Sequence, residues 1–324
     1  MEARRNNFDV TNSIDTTDVR SVNKEVDRIF QELYPDTSTE VLDRSFTDIG
    51  LLFRGEYIGY RACDTEYHNL QHTLDVALAM VRMMDGYERS RVRREPIGPR
   101  LFIFGTVTAL LHDIGYLRHN KDTRHQKGAE YTLKHVSRSG KFIEDYMSTI
   151  GLTELAPVAS EIVHFTGYER PLDKIKTPAE IFRLLGNMLG TADIIAQMSD
   201  RCYLEKCRDH LYPEFVAGGL AVSEMQRAVS DALFSSPAEL VFKTPSFYRT
   251  ATARLNDLLG GVHAYAKNHF GNQNLYLDEI EKNVNYAESV AEEGDMSLLR
   301  RTPPDPLAEP EASDTKASKK TRQG

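Results

Sequence analysis

Cysteine is scarce in this chain of 324 residues: three occur, Cys63, Cys202 and Cys207, and none stands in a CxxC pair. That spacing excludes a disulfide framework and a cysteine zinc site and fits a reducing compartment. Long apolar runs are missing too; the best, around Leu101 to Leu111, is too short to span a bilayer, so no membrane is expected. The opening residues, MEARRNNFDV, hold no apolar core of signal-peptide length, and a cytoplasmic location is the expectation. Positive charge is in deficit, with a formal net charge of -8 and an isoelectric point near 5.7. A nucleic-acid backbone is therefore not the expected partner, because phosphate contacts need a dense basic surface. Strand-like alternation is almost absent, no repeat is visible, and no Gly-, Pro- or Ser-rich linker divides residues 20 to 295.

What is present is helical periodicity. Val22, Val26, Ile29 and Leu33 recur at helix spacing, as do Leu70, Leu74, Ala77, Val81 and Met84, and then Leu101, Phe104, Thr108, Leu111 and Gly115. Further helices are expected at about Lys127 to Ser137, Phe142 to Ile150, Glu154 to Phe165 and Pro178 to Leu211, with weaker amphipathic stretches from Val222 to Phe234 and Phe247 to Val290. The expectation is one all-α domain over residues 21–295, flanked by disordered tails at 1–20 and 296–324, the latter rich in Pro, Ser and mixed charge. Apolar stripes after Val222 serve a core or a homodimer interface equally well.

Polar groups interrupt these apolar runs at particular places. In ALLHDIGYLRH the adjacent His112 and Asp113 follow Leu110 and Leu111, where lost hydration must be replaced by a partner, a charge or a metal ion. His68 and His72, in YHNLQH, stand four residues apart and can address one site from one helix face. Asp193 lies between Ala192 and Ile194 in the run LLGNMLGTADIIAQM. Singly, each reads as a hydrogen-bonded core residue, His125 as a helix cap, and Asp193 as a partner of Arg183. For His72, His112, Asp113 and Asp193 together that reading needs four independent coincidences, and a metal site is the stronger account.

The order His72, His112-Asp113, Asp193 resembles the HD-domain metal-dependent phosphohydrolases, and YHNLQHTLDV is similar to the YHNxxHxxDV motif of class I cyclic-nucleotide phosphodiesterases. The resemblance covers about Glu66 to Asp200. It implies that His72, His112, Asp113 and Asp193 hold a first metal, that Asp113 bridges to a second, and that His68 protonates the leaving group. The phosphodiesterase pattern HDxxHxGxxN has histidine where Tyr116 stands and glycine where Arg118 stands, while Asn120 falls one residue short of its last position. HDIGY, the HxxGAE at His125, and His164 instead resemble the HD-GYP type, which implies His125 and His164 as ligands of the second metal. No Gln-x-x-Phe of the kind that clamps a purine follows Asp193 in SSPAELVFKTPSFY.

The implied mechanism has two divalent metals, from Zn, Mn, Mg and Fe, lowering the pKa of a bridging water for in-line attack on phosphorus, with His68 donating a proton to the departing oxygen. The expected substrate is a small nucleotide or other phosphoester, foremost a cyclic nucleotide. Asn69, Gln197 and Asp200 are candidate substrate or supporting contacts, since Gln197 and Asp200 share a helix face with Asp193. Tyr116 is a further candidate. Lys243, among Phe242, Phe247 and Tyr248, offers charge and stacking to a nucleotide. The run ERSRVRR from Glu88 to Arg94 is a candidate for steering an anion or simply a solvated loop. Two alternatives stand beside hydrolysis: a di-iron oxygenase of HD fold resembling myo-inositol oxygenase, and a non-catalytic regulatory HD module.

Overall fold

Val22, Val26, Ile29 and Phe30 form one buried stripe, and the Asp18 carboxylate caps the N-terminus of their helix by accepting from the Arg20 amide. This is α1 (Val19–Leu33) of a computed structural model that describes residues 4–90, 95–221 and 233–306. There follow α2 (Glu40–Arg54), α3 (Leu70–Glu88), α4 (Gly98–Leu110), α5 (His135–Thr149), α6 (Ala156–Ile162) and α7 (Glu180–Ser199). The second half adds α8 (Tyr203–Lys206), α9 (Tyr212–Ala217), α10 (Pro237–Phe242), α11 (Thr244–Ala253), α12 (Ala266–His269) and α13 (Leu275–Glu293). Among the described residues there is no sheet, only isolated bridges such as Tyr60 with His119, and no helix is long and apolar enough to cross a membrane.

The axis of this all-α domain is α3, buried almost continuously from Gln71 to Tyr87 and packed against α7, α4, α12 and α1. A helix enclosed on every side needs its polar residues answered from elsewhere. Arg82, 1% exposed, is answered by Asp9, whose Oδ2 lies 2.5 Å from its Nη2, and by the Tyr276 hydroxyl at 3.1 Å. Residues 4–17, expected as part of a tail, are thereby drawn onto the body: Arg4 also reaches the Ser199 carbonyl and Glu279. At the far end Leu299 is buried and the Arg301 amide donates to Glu205, while residues 307–324 lie outside the described residues.

Two expected elements are shaped by side chains competing with the backbone. The helix expected from Pro178 to Leu211 stops at Asp200, whose carboxylate accepts from the Cys202 amide at 2.6 Å and from Lys206 Nζ at 2.6 Å. The chain resumes as α8 and a π turn, Cys207–Leu211. The helix expected at Lys127 to Ser137 is a 3-10 turn, Gly128–Tyr131, and α5 begins only at His135. Of the basic run, Arg89 pairs with Asp85 and Glu32, and 91–94 lie outside the described residues, as do 222–232 of the stretch expected to end at Phe234.

Asp75 of α3 faces a cavity of about 10 Å³, room for one water, lined also by Arg4, Asp9, Asp200 and Tyr276. Burial and the nearby Asp200 push its carboxyl from 3.8 up to about 7, against the pull of Lys206. Over that range the folded chain keeps a proton the unfolded chain has released, so stability falls as pH rises from about 4 to about 7. Asp75→Asn is therefore expected to leave the melting temperature unchanged near pH 4 and to raise it by a few degrees at about pH 8. Thermal melts at both pH values check this; a lower melting temperature at the higher pH would show that the carboxylate is needed as an anion.

Candidate metal centre

The N-terminus of α3 places two histidines. Asn69 is its cap, accepting from the His72 amide at 3.1 Å and donating to the Glu66 carbonyl at 2.8 Å, which fixes His72 in the first turn and His68 just outside it. His112 and Asp113 occupy the turn between α4 and a 3-10 turn, Ile114–Tyr116. Asp193 comes from the middle of α7.

Close approach of backbones brings further side chains in. A Cβ on Gly115 would lie 1.9 Å from the His135 carbonyl oxygen, so glycine there lets the start of α5 rest on the turn that bears Asp113. A Cβ on Gly190 would lie 2.4 Å from the Phe165 carbonyl oxygen, and its absence seats the 3-10 turn carrying His164 against α7.

His72, His112 and Asp113 converge with their ligand atoms within 4.8 Å of one another. Asp113 Oδ2 lies 3.3 Å from His72 Nε2 and 3.1 Å from His112 Nε2, and Asp193 Oδ1 lies 3.4 Å and 3.9 Å from the same two nitrogens. Ligands about 2.1 Å from one ion stand about 3.0 Å apart at right angles and about 3.4 Å apart at a tetrahedral angle, so the three shorter spacings fit a metal and the 3.9 Å between Asp193 and His112 is wider. His112 donates from Nδ1 to the Ala109 carbonyl at 2.8 Å, and its Nε2 is fully buried with no hydrogen-bond partner. That buried nitrogen, near the Asp113 and Asp193 carboxylates, is free to serve as a metal ligand.

Charge leads the same way. Burial works against protonation of His72, but hydrogen bonds to Asp113 and Asp193 outweigh it and raise the imidazole to about 10. His112 is likewise raised, burial being overcome by Asp113. Asp113 is held well below the usual carboxylate range, its burial overcome by His112, His72 and His68. The cluster is short of positive charge, and a divalent cation can take the place of these protons. Two imidazoles with two carboxylates suit Zn, Fe or Mn.

A further histidine adjoins Asp113 on its other oxygen. His135 Nε2 lies 3.5 Å from Asp113 Oδ1, while its Nδ1 donates to the Thr132 carbonyl at 2.6 Å. Burial lowers the pKa of His135 and keeps the ring neutral, as a ligand must be, although Asp113 pulls the other way. His164 is buried with Nδ1 3.1 Å from Glu169 Oε1, and that contact, against the effect of burial, holds the Glu169 carboxyl below its ordinary range. Of the histidines outside the first group, His135 is thus the one that meets Asp113, while His164 is paired with Glu169. His125 is not brought to this group: it turns to Asp122 at 3.2 Å and lies on the Tyr131 ring, in a partly exposed loop.

His68 lies beside the cluster, its ring centroid 5.8 Å from that of His72. Its Nδ1 meets Glu214 Oε2 at 2.5 Å, and the other Glu214 oxygen accepts from the amides of Tyr67 at 2.6 Å and His68 at 3.3 Å. Glu214 therefore selects the tautomer with the proton on Nδ1 and leaves Nε2 for chemistry. Gln197 accepts from the Tyr67 hydroxyl at 3.3 Å and lines a small cavity with His72, Asp75, Asp200 and Lys206. Tyr116 is 2% exposed, and Lys243 pairs with Glu239 on an exposed surface, with no contact to the cluster among those described.

Sequence reasoning passed over His135, Glu169 and Glu214. His135 has no apolar run around it to mark it as costly, and the HxxGAE pattern drew attention to His125 instead. Glu214 is 146 residues from His68. No protein-family model, no curated protein and no solved structure matches this chain.

Proposed function

We propose that this chain is a metal-dependent phosphoric ester hydrolase of the HD type, acting on a nucleotide phosphodiester. The observation that carries the proposal is the juxtaposition of the His72, His112, Asp113 and Asp193 cluster with the His68–Glu214 pair. Divalent ions held by the cluster would supply Lewis acidity and an activated water.

The remaining work falls to side chains. His68, protonated on both nitrogens, can release the Nε2 proton to a leaving alkoxide, while Glu214 stabilises the imidazolium until it does so. Asp113 presents one oxygen to His72 and His112 and the other to His135, so it can be shared between two ions. The two imidazoles in the first group serve as neutral ligands once their protons are displaced.

The test is metal analysis of the purified protein combined with turnover of cyclic AMP, cyclic GMP, dinucleotides, simple phosphomonoesters and a nitrophenyl phosphodiester, each with Mg, Mn, Zn and Fe. Metal-dependent release of a nucleoside phosphate is expected. His68→Ala should slow substrates with poor leaving groups by about a hundredfold or more and nitrophenyl esters much less. Equal losses on both would remove the acid role. Iron with oxygen consumption and no ester turnover would give the oxygenase reading instead, and retained metal with no turnover the regulatory one.

A further inference from the structure

We propose that Tyr116 is a positioning residue: its ring is a floor under both His68 and His135, fixing the planes of the two imidazoles relative to Asp113. The catalytic consequence rests on the hydrolase reading above; the placement itself does not.

The three rings define the arrangement. The Tyr116 centroid is 4.5 Å from that of His68 with planes 19° apart, and 4.4 Å from that of His135 with planes 17° apart. The imidazole centroids are 6.1 Å from each other. Rings stacked on opposite faces of one ring would be at least about 7 Å apart, twice a van der Waals separation of about 3.5 Å. Both imidazoles therefore lie on the same face of Tyr116, side by side and offset, in the geometry aromatic pairs prefer.

Each imidazole otherwise has one hydrogen bond at its ring, with the Tyr67 and His72 rings edge-on to His68 and Asp113 Oδ1 3.5 Å from His135 Nε2. His68 is held by Glu214 at Nδ1, and His135 by the Thr132 carbonyl at Nδ1. A single hydrogen bond leaves the ring free to turn about that contact, because the torsion joining an imidazole to its side chain is broad. A flat surface beneath the ring removes that freedom. For His135 it holds Nε2 toward Asp113 Oδ1; for His68 it fixes the plane in which Nε2 is presented.

The floor itself is rigid. Tyr116 sits one turn from Asp113, its amide donating to the Asp113 carbonyl at 3.0 Å, and its carbonyl oxygen would be 2.5 Å from a Cβ on Gly128, so the chain closes directly over it. Burial, with Asp113 and Glu214 nearby, holds its phenol well above the ordinary range, so the ring stays neutral. At 2% exposure the ring offers little surface to a substrate, and its role runs through the two histidines it supports.

The experiment follows the imidazole C–H resonances of the full-length protein labelled at histidine, assigned with His68→Gln and His135→Gln, in wild type, Tyr116→Phe and Tyr116→Leu. Ring-current displacement of both His68 and His135 is expected in wild type and in Tyr116→Phe, and its loss in Tyr116→Leu. In kinetics with a nucleoside phosphodiester, Tyr116→Leu should lose about tenfold or more in kcat with little change in KM and with bound metal retained, and Tyr116→Phe should restore kcat to within about twofold. Undisplaced resonances in wild type, displacement that persists in Tyr116→Leu, or equal kinetic loss in the two variants would each overturn the assignment. Should the wild-type chain hydrolyse no phosphoester, the hydrolase reading fails, and the resonances still decide the role of Tyr116, even if Tyr116→Leu does not fold.

Discussion

On the proposed hydrolase reading, Asp113→Ala is expected to abolish metal binding and to lower hydrolysis by about a thousandfold or more, equivalent to roughly 4 kcal/mol of transition-state stabilisation. Asp113 is the carboxylate that meets His112 and His72, at 3.1 Å and 3.3 Å through Oδ2, and also His135, at 3.5 Å through Oδ1. Without it His72 and His112 keep Asp193 as a common neighbour, but no carboxylate joins them to His135. Asp113→Asn separates charge from shape, since the amide fills the same space with a weaker donor; a loss nearly as large is expected. Metal content by elemental analysis and kcat/KM for both variants, with circular dichroism to show that the helices persist, decide the matter. An unchanged rate in either variant would remove Asp113 from the centre.

Arg82→Leu is expected to be the most destabilising of the simple substitutions, by roughly 3 to 5 kcal/mol, because it leaves the Asp9 carboxylate buried and unpaired. Arg82 is 1% exposed and Asp9 3% exposed, and the guanidinium also bonds Tyr276 and lies over the Phe270 ring. Burial would raise the Asp9 carboxyl, but Arg82 with hydrogen bonds from Ile14 and Thr11 outweighs it and the group sits below its ordinary 3.8. In wild type this contributes stability at pH above that value and is lost as pH falls through the lowered one. In the variant only the Ile14 and Thr11 hydrogen bonds oppose burial, so the sign is expected to reverse: the folded chain takes up a proton and stability falls as pH rises. The penalty should therefore be larger at about pH 8 than at about pH 5. Adding Asp9→Asn should recover part of it. Urea denaturation of the single and double variants at both pH values measures these differences; a loss below about 1 kcal/mol at the higher pH would show that the pair is not sealed from water.

Much of the helical body was legible because its cause is local. Val22, Val26, Ile29 and Leu33 repeat at the period of about 3.6 residues that puts them on one face, whatever else the chain does. His72, His112, Asp113 and Asp193 were legible for a related reason, since a titratable group inside an apolar run is costly and so informative. The site around them was legible in part. HxxGAE selects His125 as a pattern, yet His135 adjoins Asp113, because Gly115 admits the first turn of α5 and not the loop before it. Glu214 reaches His68 from beyond a π turn that follows the break at Asp200, an irregularity no period predicts.

The N-terminal segment shows the same limit from the other side. Residues 4–17 are polar and aperiodic, the composition of a tail, and they fold back because Arg82, in the most enclosed helix, requires a carboxylate that Asp9 supplies across 73 positions. What the sequence by itself determined was the helical class and the short set of polar residues expensive enough to need an explanation, both consequences of neighbours along the chain. Only the tertiary structure decided which histidine meets Asp113, which carboxylate orients His68, and what lies beneath them both. Those contacts join distant segments, and they depend on how closely two backbones can approach, which is a property of the packed chain rather than of any stretch of it.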